Sequence, residues 1–127
     1  RDGHEVHGFA DVLFSPLLVN DIASLLLETY EKGLRGLYHL GACDHTSKYE
    51  FALKIARTFR LDDTTVTASS LSSAEFTAPR PKNTHLDVAK LTSALGHPLP
   101  SIDDGIESFH QLERSGYVEA LKAIPAS

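Results

Sequence analysis

Apolar residues recur every three or four positions in several stretches of the chain, a spacing that places them on one face of an α-helix. The clearest stretch follows Asn20, a residue type that favours helix N-caps. It ends at Gly33, which suits the left-handed turn after a helix. We therefore predict a first helix between these two residues. Its buried face is predicted to consist of Ile22, Leu25, Leu26 and Tyr30.

Four further helices follow from the same pattern. Ser47 and Glu50 have the spacing of a capping box, in which each side chain accepts a hydrogen bond from the backbone N–H of the other residue. Asp87 is placed to cap a third helix that ends at Gly96, and Ser101 opens a fourth, which a short last helix follows. The inward face of the second helix is predicted to consist of Phe51, Ala52, Ile55, Ala56 and Phe59.

Short extended segments separate these helices. Residues 4–9, 11–17 and 64–68 have the composition of strands, and Pro16 interrupts the second. Residues 36–41 form an apolar run between two glycines and are predicted to be a buried strand. Because a strand–helix–strand order is typical of parallel pairing, the sequence predicts an α/β fold with about five helices and a few short strands.

Composition narrows the class of protein. The chain has 127 residues, enough for one domain, and a net charge of -5, which disfavours a nucleic-acid partner. No apolar run is long enough for a membrane span, and the lone Cys43 excludes an internal disulfide and a CxxC metal site. These features predict a cytoplasmic protein. Since the chain has no methionine and starts at Arg1, we also expect it to be part of a longer protein.

A proline-rich loop, residues 76–86, carries the most informative chemistry. Pro79 and Pro81 restrict the backbone on both sides of Arg80, which is therefore held in a stiff loop. A guanidinium presents a planar set of donors and stays charged, so it suits an anion such as a phosphate. The alternative is a structural role, in which Arg80 caps a helix end or pairs with an acidic residue. The residues alone leave both roles open.

Other candidate sites lack essential parts. His4 and His7 would point to opposite faces of a strand, so an ordinary surface pair is favoured over a metal site. Cys43 and His45 could belong to a nucleophilic site, but no orienting group accompanies them and a surface loop is favoured. The chain contains no GxGxxG sequence and no Tyr-x-x-x-Lys pair. We therefore assign no catalytic, cofactor-binding or metal-binding residue.

Several stretches taken together resemble the C-terminal part of extended short-chain dehydrogenases/reductases. The nearest resemblance is to dTDP-4-dehydrorhamnose reductase and its sugar-nucleotide reductase relatives. It covers nearly the whole chain in the right order, and the ordered set is more specific than any single motif. The stretches that carry it are residues 9–16, 19–23, 36–41 and 47–55, the loop 77–86, and Lys90-Leu91.

The resemblance implies a parent enzyme that transfers a hydride from NAD(P) to the C4 keto group of a nucleotide-linked sugar. Its N-terminal Rossmann half would hold the cofactor and the catalytic Tyr/Lys pair. Residues 1–127 would be a single substrate-binding lobe with the last strand or strands of the Rossmann sheet, for which Leu37–Leu40 is the candidate. This chain alone would then bind no cofactor and have no catalytic activity.

The resemblance also implies roles and partners. Arg80 would contact the diphosphate of the sugar nucleotide and Asn83 would lie beside it; the other partners would be the Rossmann half and a second copy in a homodimer. Val12 and Leu17 depart from the family, which often has Gln and Thr at these positions. The identity of the sugar is therefore not predicted. Two alternatives remain: a non-catalytic regulatory subunit of the same fold, as in methionine adenosyltransferase, and a self-contained α/β binding module.

Overall fold

Five α-helices and four short strands form the part of the chain that the structure, a computed structural model, describes, namely residues 4–73 and 76–123. This content confirms the predicted α/β class with about five helices. The helices are α1 (Val19–Glu31), α2 (Lys48–Thr58), α3 (Ala89–Leu95), α4 (Ile102–Arg114) and α5 (Tyr117–Lys122). The strands are β1 (Val6–Phe9), β2 (Leu13–Phe14), β3 (Thr46–Ser47) and β4 (Val66–Ser69).

The strands form two separate pairs. β1 pairs with β4 in parallel, from Val6 opposite Val66 to Phe9 opposite Ser69. β2 pairs with β3 in antiparallel register. A parallel pair therefore forms as expected, but its two strands are the segments near residues 4–9 and 64–68. The predicted pairing around the first helix is wrong, because the segment after that helix forms no strand.

That segment, Leu37–Leu40, was predicted to be a strand of a larger sheet. Its side chains alternate as in a strand: Tyr38 and Leu40 pack against the core, whereas Leu37 is 77% exposed. No strand lies beside it among residues 4–73 and 76–123, so no hydrogen-bonded ladder forms. Its first carbonyl instead accepts from the Lys90 ammonium group, 2.6 Å away. The sequence pattern was therefore strand-like, but the described chain supplies no partner.

Two apolar clusters hold the helices together. One joins α1 to α3 and the connector that follows α3, and the other joins α2 to α4. Leu17 packs against both clusters and links them. The first consists of Leu25, Val88, Leu91, Leu95 and Leu99, and the second of Ala42, Ile102 and Ile106 with Phe51, Ile55 and Phe59 against them.

The first helix differs from its prediction at its start and on its outer face. Its N-cap is Leu18, so Asn20 lies inside the helix, where its side chain donates to the Tyr117 hydroxyl instead of capping. Leu25 is buried as expected, but Leu26 and Tyr30 are 55% and 82% exposed. Hydrophobic spacing identified the helix correctly. It did not show which apolar side chains the rest of the chain covers.

The other helix ends follow the sequence closely. Ser47 and Glu50 form the predicted capping box, and Ser101 with Asp104 forms a second one. The N-cap of the third helix is Val88 and not Asp87 as predicted. The Asp87 carboxylate nevertheless accepts a hydrogen bond from the Ala89 N–H in the first turn. A 3-10 turn follows β4 at Leu71–Ser73.

Candidate functional site

The proline-rich loop lies at the carboxyl ends of the parallel strands. β1 and β4 end together at Phe9 and Ser69, and the next residue, Ala10, donates its N–H to the Ser69 carbonyl. In open α/β sheets this edge is where ligands usually bind, because several loops converge there. The loop that carries Arg80 reaches the same edge through contacts to Phe9 and Asp11.

Asp11 fastens the loop at this edge. Its carboxylate accepts from the Leu71 backbone N–H at 2.8 Å, from the Ser70 hydroxyl at 2.9 Å and from the Lys82 ammonium group at 2.9 Å. The Leu71 N–H is the main cause that lowers the pKa of Asp11 to about 2, and Lys82 adds to it. Asp11 is therefore ionised at neutral pH and holds three segments together.

Backbone hydrogen bonds fix the second half of the loop against β2. The Leu13 N–H donates to the Lys82 carbonyl at 2.8 Å, and the Leu13 carbonyl accepts from the Thr84 N–H at 2.9 Å. Further along, the Leu86 N–H donates to the Ser15 hydroxyl at 3.1 Å. The loop is thus a third extended segment beside β2 and β3, and its side chains have a defined direction.

Arg80 is exposed at the tip of this loop. Its guanidinium carbon lies 5.4 Å from the centre of the Phe76 ring, and Phe76 in turn meets Phe9 edge-on with ring centres 6.0 Å apart. A cation–π contact of this kind orients the group but uses none of its N–H donors. No ion pair joins Arg80 to an acid within the described ranges 4–73 and 76–123; Lys82 takes that role instead. The donors are therefore available to an anion.

Asn83 shapes the loop around its own carboxamide. Its oxygen accepts from the His85 backbone N–H at 3.2 Å and lies 2.6 Å from Nδ1 of the His85 ring. For its amide NH₂ group, the described part of the chain offers no hydrogen-bond partner. Asn83 can therefore donate to a ligand while its oxygen holds the loop.

The fold brings together two histidines that the sequence did not connect. His45 and His85 stack with ring centres 4.7 Å apart and a tilt of 20° between the rings. His45 lies on the loop before β3, and His85 lies on the proline-rich loop. β3 and the proline-rich loop both contact β2, so only the tertiary structure places the two rings side by side. The spacing of histidines along the sequence gives no signal for such a pair.

The structure gives no support to a nucleophile at Cys43. Cys43 is exposed, and desolvation by neighbouring atoms, with a smaller effect from the Asp44 carboxylate, raises the pKa of its thiol, which opposes the thiolate form. Asp44 itself accepts from the Ile102 N–H at 2.9 Å and so caps the fourth helix. His45 is turned toward His85. The surface-loop interpretation is the one that the geometry favours.

The described residues also hold no cluster of His, Cys, Asp and Glu able to bind a metal ion. His7 contacts the Thr67 hydroxyl at 2.7 Å, on the neighbouring strand. No helix in the described part of the chain has the length and apolar character that crossing a membrane requires.

Val12 and Leu17 occupy core positions. Val12 is buried and Leu17 packs between the two apolar clusters. Their apolar character therefore has a structural reason, and polar side chains there would need partners inside the core.

The turns after the parallel strands do not fit a dinucleotide. β1 is followed by Ala10 and Asp11 and not by a glycine-rich turn. β4 leads into the Leu71–Ser73 turn and not into a glycine-rich loop with a helix. These residues therefore supply no cradle for NAD(P).

Comparison with known proteins now identifies the family. The family model described as RmlD substrate binding domain matches residues 1–114. The chain belongs to this family. The RmlD-type match includes the proline-rich loop and four of the five helices, and it ends before α5 begins.

Three proteins that are similar to this RmlD-type chain are named as reductases. It is 26% identical over 104 residues to a Haloferax volcanii protein named "probable low-salt glycan biosynthesis reductase Agl14". It superposes on dTDP-4-dehydrorhamnose reductase of Bacillus anthracis, solved with NADP, with a TM-score of 0.71 and 27% identity. The fold also matches a dTDP-4-dehydrorhamnose reductase of Clostridium acetobutylicum at a TM-score of 0.71 and 22% identity.

The matched proteins are much longer than the RmlD-type chain. The 104-residue match covers 82% of this chain but 35% of the Haloferax protein. The superpositions cover 84% and 94% of this chain, and 37% and 40% of the Bacillus and Clostridium structures. The chain thus spans little more than a third of each relative. The Haloferax protein and the Bacillus structure both carry the name of a reductase, and the regulatory-subunit alternative is not favoured.

Proposed function

We propose that this chain is the substrate-binding part of an NAD(P)-dependent reductase that acts on a keto sugar carried by a nucleoside diphosphate. The observation that carries the proposal is the open guanidinium of Arg80 on an anchored loop, in a chain of the RmlD substrate-binding family. In this role Arg80 binds the diphosphate, and the free amide of Asn83 donates to the same ligand.

Three features support this assignment. The loop lies at the carboxyl edge of the parallel strands, where α/β proteins usually bind ligands. Asp11 neutralises Lys82 but leaves Arg80 unpaired among the described residues, so the free charge is concentrated on one side chain. A guanidinium binds two oxygens of a phosphate with parallel hydrogen bonds, which a lysine cannot do.

The rest of the enzyme would be a cofactor-binding part that packs against α1. An apolar stripe on the outer face of this helix supports that arrangement: Val19, Leu26 and Tyr30 are 70%, 55% and 82% exposed. Relatives have almost two thirds of their length outside the matched region, and one was solved with NADP. Leu37–Leu40 would then join the sheet of that part, because its alternating side chains already fit a strand. We place residues 1–127 in one lobe on these grounds.

Hydride transfer to a C4 keto group needs a cofactor cradle and a proton donor. The sequence has neither the glycine-rich loop nor the Tyr-x-x-x-Lys pair, so the chain alone should be inert. Its own contribution is to bind and orient the nucleotide. Turnover of NAD(P)H and a keto-sugar nucleotide by the purified chain would contradict this statement.

Calorimetric titration with dTDP-glucose tests the binding role. We expect the wild-type chain to bind and the Arg80→Ala variant to bind at least tenfold more weakly, since hydrogen bonds to a charged group contribute about 1.5–3 kcal/mol. Arg80→Lys should recover only part of the loss, because it keeps the charge but not the paired donors.

A matched control is Arg35→Ala. Arg35 is also exposed, but it lies in the turn after α1 and outside the loop. Equal binding by Arg80→Ala and the wild type would rule out the diphosphate contact. If the wild-type chain itself does not bind, the proposed site is wrong for this chain on its own.

A further inference from the structure

One of the two stacked histidines, His85, lies on the same anchored loop as Arg80. His85 follows Asn83 by two residues, so both side chains point to one side of an extended segment. His45 reaches this side from the loop before β3. Both imidazoles are exposed.

Hydrogen bonding fixes the tautomer of the His85 ring. The Asn83 atom that receives the His85 backbone N–H must be the carboxamide oxygen, because an N–H cannot donate to an NH₂ group. The same oxygen lies 2.6 Å from Nδ1, so Nδ1 must carry a proton. In the neutral ring Nε2 then has none. Nε2 becomes a donor only when His85 takes up a second proton and becomes a cation.

The described surroundings provide no carboxylate for that cation. The groups that face the ring are the His45 imidazole and the Asn83 carboxamide. The acidic residues nearest in sequence to this pair are engaged elsewhere: Asp44 accepts from the Ile102 N–H and Asp87 from the Ala89 N–H. A charged His85 beside His45 therefore leaves room for an anionic ligand, since the described residues supply no counter-charge.

We propose that His85 is a second ligand of the sugar nucleotide, and that it donates from Nε2 to a phosphate oxygen when its ring is protonated. The inference rests on the proposed function, which supplies the ligand. Asn83 acts here as a positioning residue, because its carboxamide oxygen holds Nδ1 and leaves Nε2 as the ring nitrogen for a ligand. Binding should then tighten as the pH falls, because protonation creates both the donor and its charge.

Calorimetry with dTDP-glucose at pH 5.5 and pH 8.0 tests the proposal. This probe is suitable because its diphosphate is esterified at both ends and keeps its charge over that range. We expect the wild-type chain to bind roughly tenfold more tightly at pH 5.5. His85→Asn retains a group near Nδ1 but has none near Nε2, so its affinity should not change with pH. His85→Gln places an uncharged donor near Nε2 and should bind with intermediate, pH-independent affinity.

His4→Asn provides the control, since it removes another exposed histidine that lies outside this cluster. It should keep the pH dependence of the wild type. Ring nitrogen shifts measured by NMR add a second readout: the ligand should move the signal of Nε2 in His85 at pH 5.5.

The outcomes separate the two proposals. Binding that depends on Arg80 but has the same pH profile in wild type and His85→Asn would overturn the role of His85 and leave the proposed function intact. Unperturbed His85 ring signals in a saturated complex would do the same. Absence of binding at both pH values would overturn both proposals.

Discussion

At the scale of single residues, one carboxylate holds the candidate site in place. Asp11 joins the turn after β4 to the loop that carries Arg80, through the Leu71 N–H and the Lys82 ammonium group. The two cations of the loop therefore differ in role. Lys82 forms an ion pair with Asp11, whereas the N–H donors of Arg80 are available to a ligand. Loss of Asp11 should therefore loosen the loop and also release a competing charge.

The pKa of Asp11 leads to a prediction about acid stability. It is lowered from 3.8 to about 2, so the carboxylate adds to stability in full above about pH 4. This contribution is lost as the pH falls from about 4 to about 2, because the unfolded chain then binds the proton first. Urea unfolding at pH 2–6 should show a steeper loss of stability in the wild type than in Asp11→Asn.

Glu31→Gln is the control for this measurement. Glu31 is an exposed carboxylate on α1, outside the Asp11 contacts. Its variant should follow the wild-type curve. If Asp11→Asn followed that curve as well, the hydrogen bonds to Leu71 and Lys82 would contribute nothing to acid stability.

At the scale of elements, β1 meets α2 at a distance that only glycine permits. A Cβ atom at Gly8 would lie 2.6 Å from the Tyr49 Cα, which is backbone and cannot move aside alone. The contact sets how closely the parallel pair lies against the helix.

Two glycine substitutions with opposite outcomes test this packing. Gly8→Ala should destabilise the chain by about 1–3 kcal/mol or more, since the clash forces the strand away from the helix. Gly105→Ala should stabilise it by roughly 0.5–1 kcal/mol: Gly105 is inside α4, and a Cβ there meets nothing closer than 3.8 Å. Urea unfolding measures both free energies. A neutral Gly8→Ala variant would show that the two elements separate freely.

At the scale of the whole molecule, the outer face of α1 departs from an ordinary surface. Val19, Leu26 and Tyr30 lie along one stripe at helical spacing, and all three are more than half exposed. Exposed apolar areas of this kind usually mark an interface. In the longer relatives a further part of the polypeptide is available to pack there, whereas the chain alone leaves the stripe in water.

The purified chain should therefore self-associate as its concentration rises. Leu26→Glu should reduce the association by placing a charge inside the stripe. Ser93→Glu adds the same charge at an exposed position of α3 and should leave it unchanged. Sedimentation velocity over a range of concentrations measures this. A wild-type chain that stays monomeric throughout would contradict the idea that the stripe is an interface.

Local sequence signals predicted the helices well, since their ends depend on neighbouring residues. The capping box of Ser47 and Glu50 and the left-handed stop at Gly33 both formed as expected. The same kind of signal misplaced the N-cap of α1, where Asn20 bonds to Tyr117 in a distant helix. Local rules fail there because a tertiary contact uses the side chain.

The sequence by itself determined the five helices, the stiff loop around Arg80 and, through its resemblance to a family, the class of protein. These depend on backbone restriction and on contacts a few residues apart. Only the tertiary structure decided which strands pair, that the outer face of α1 is uncovered, and that His45 stacks on His85. Such features depend on segments far apart along the chain, whose approach is governed by packing of the whole core and not by any local pattern.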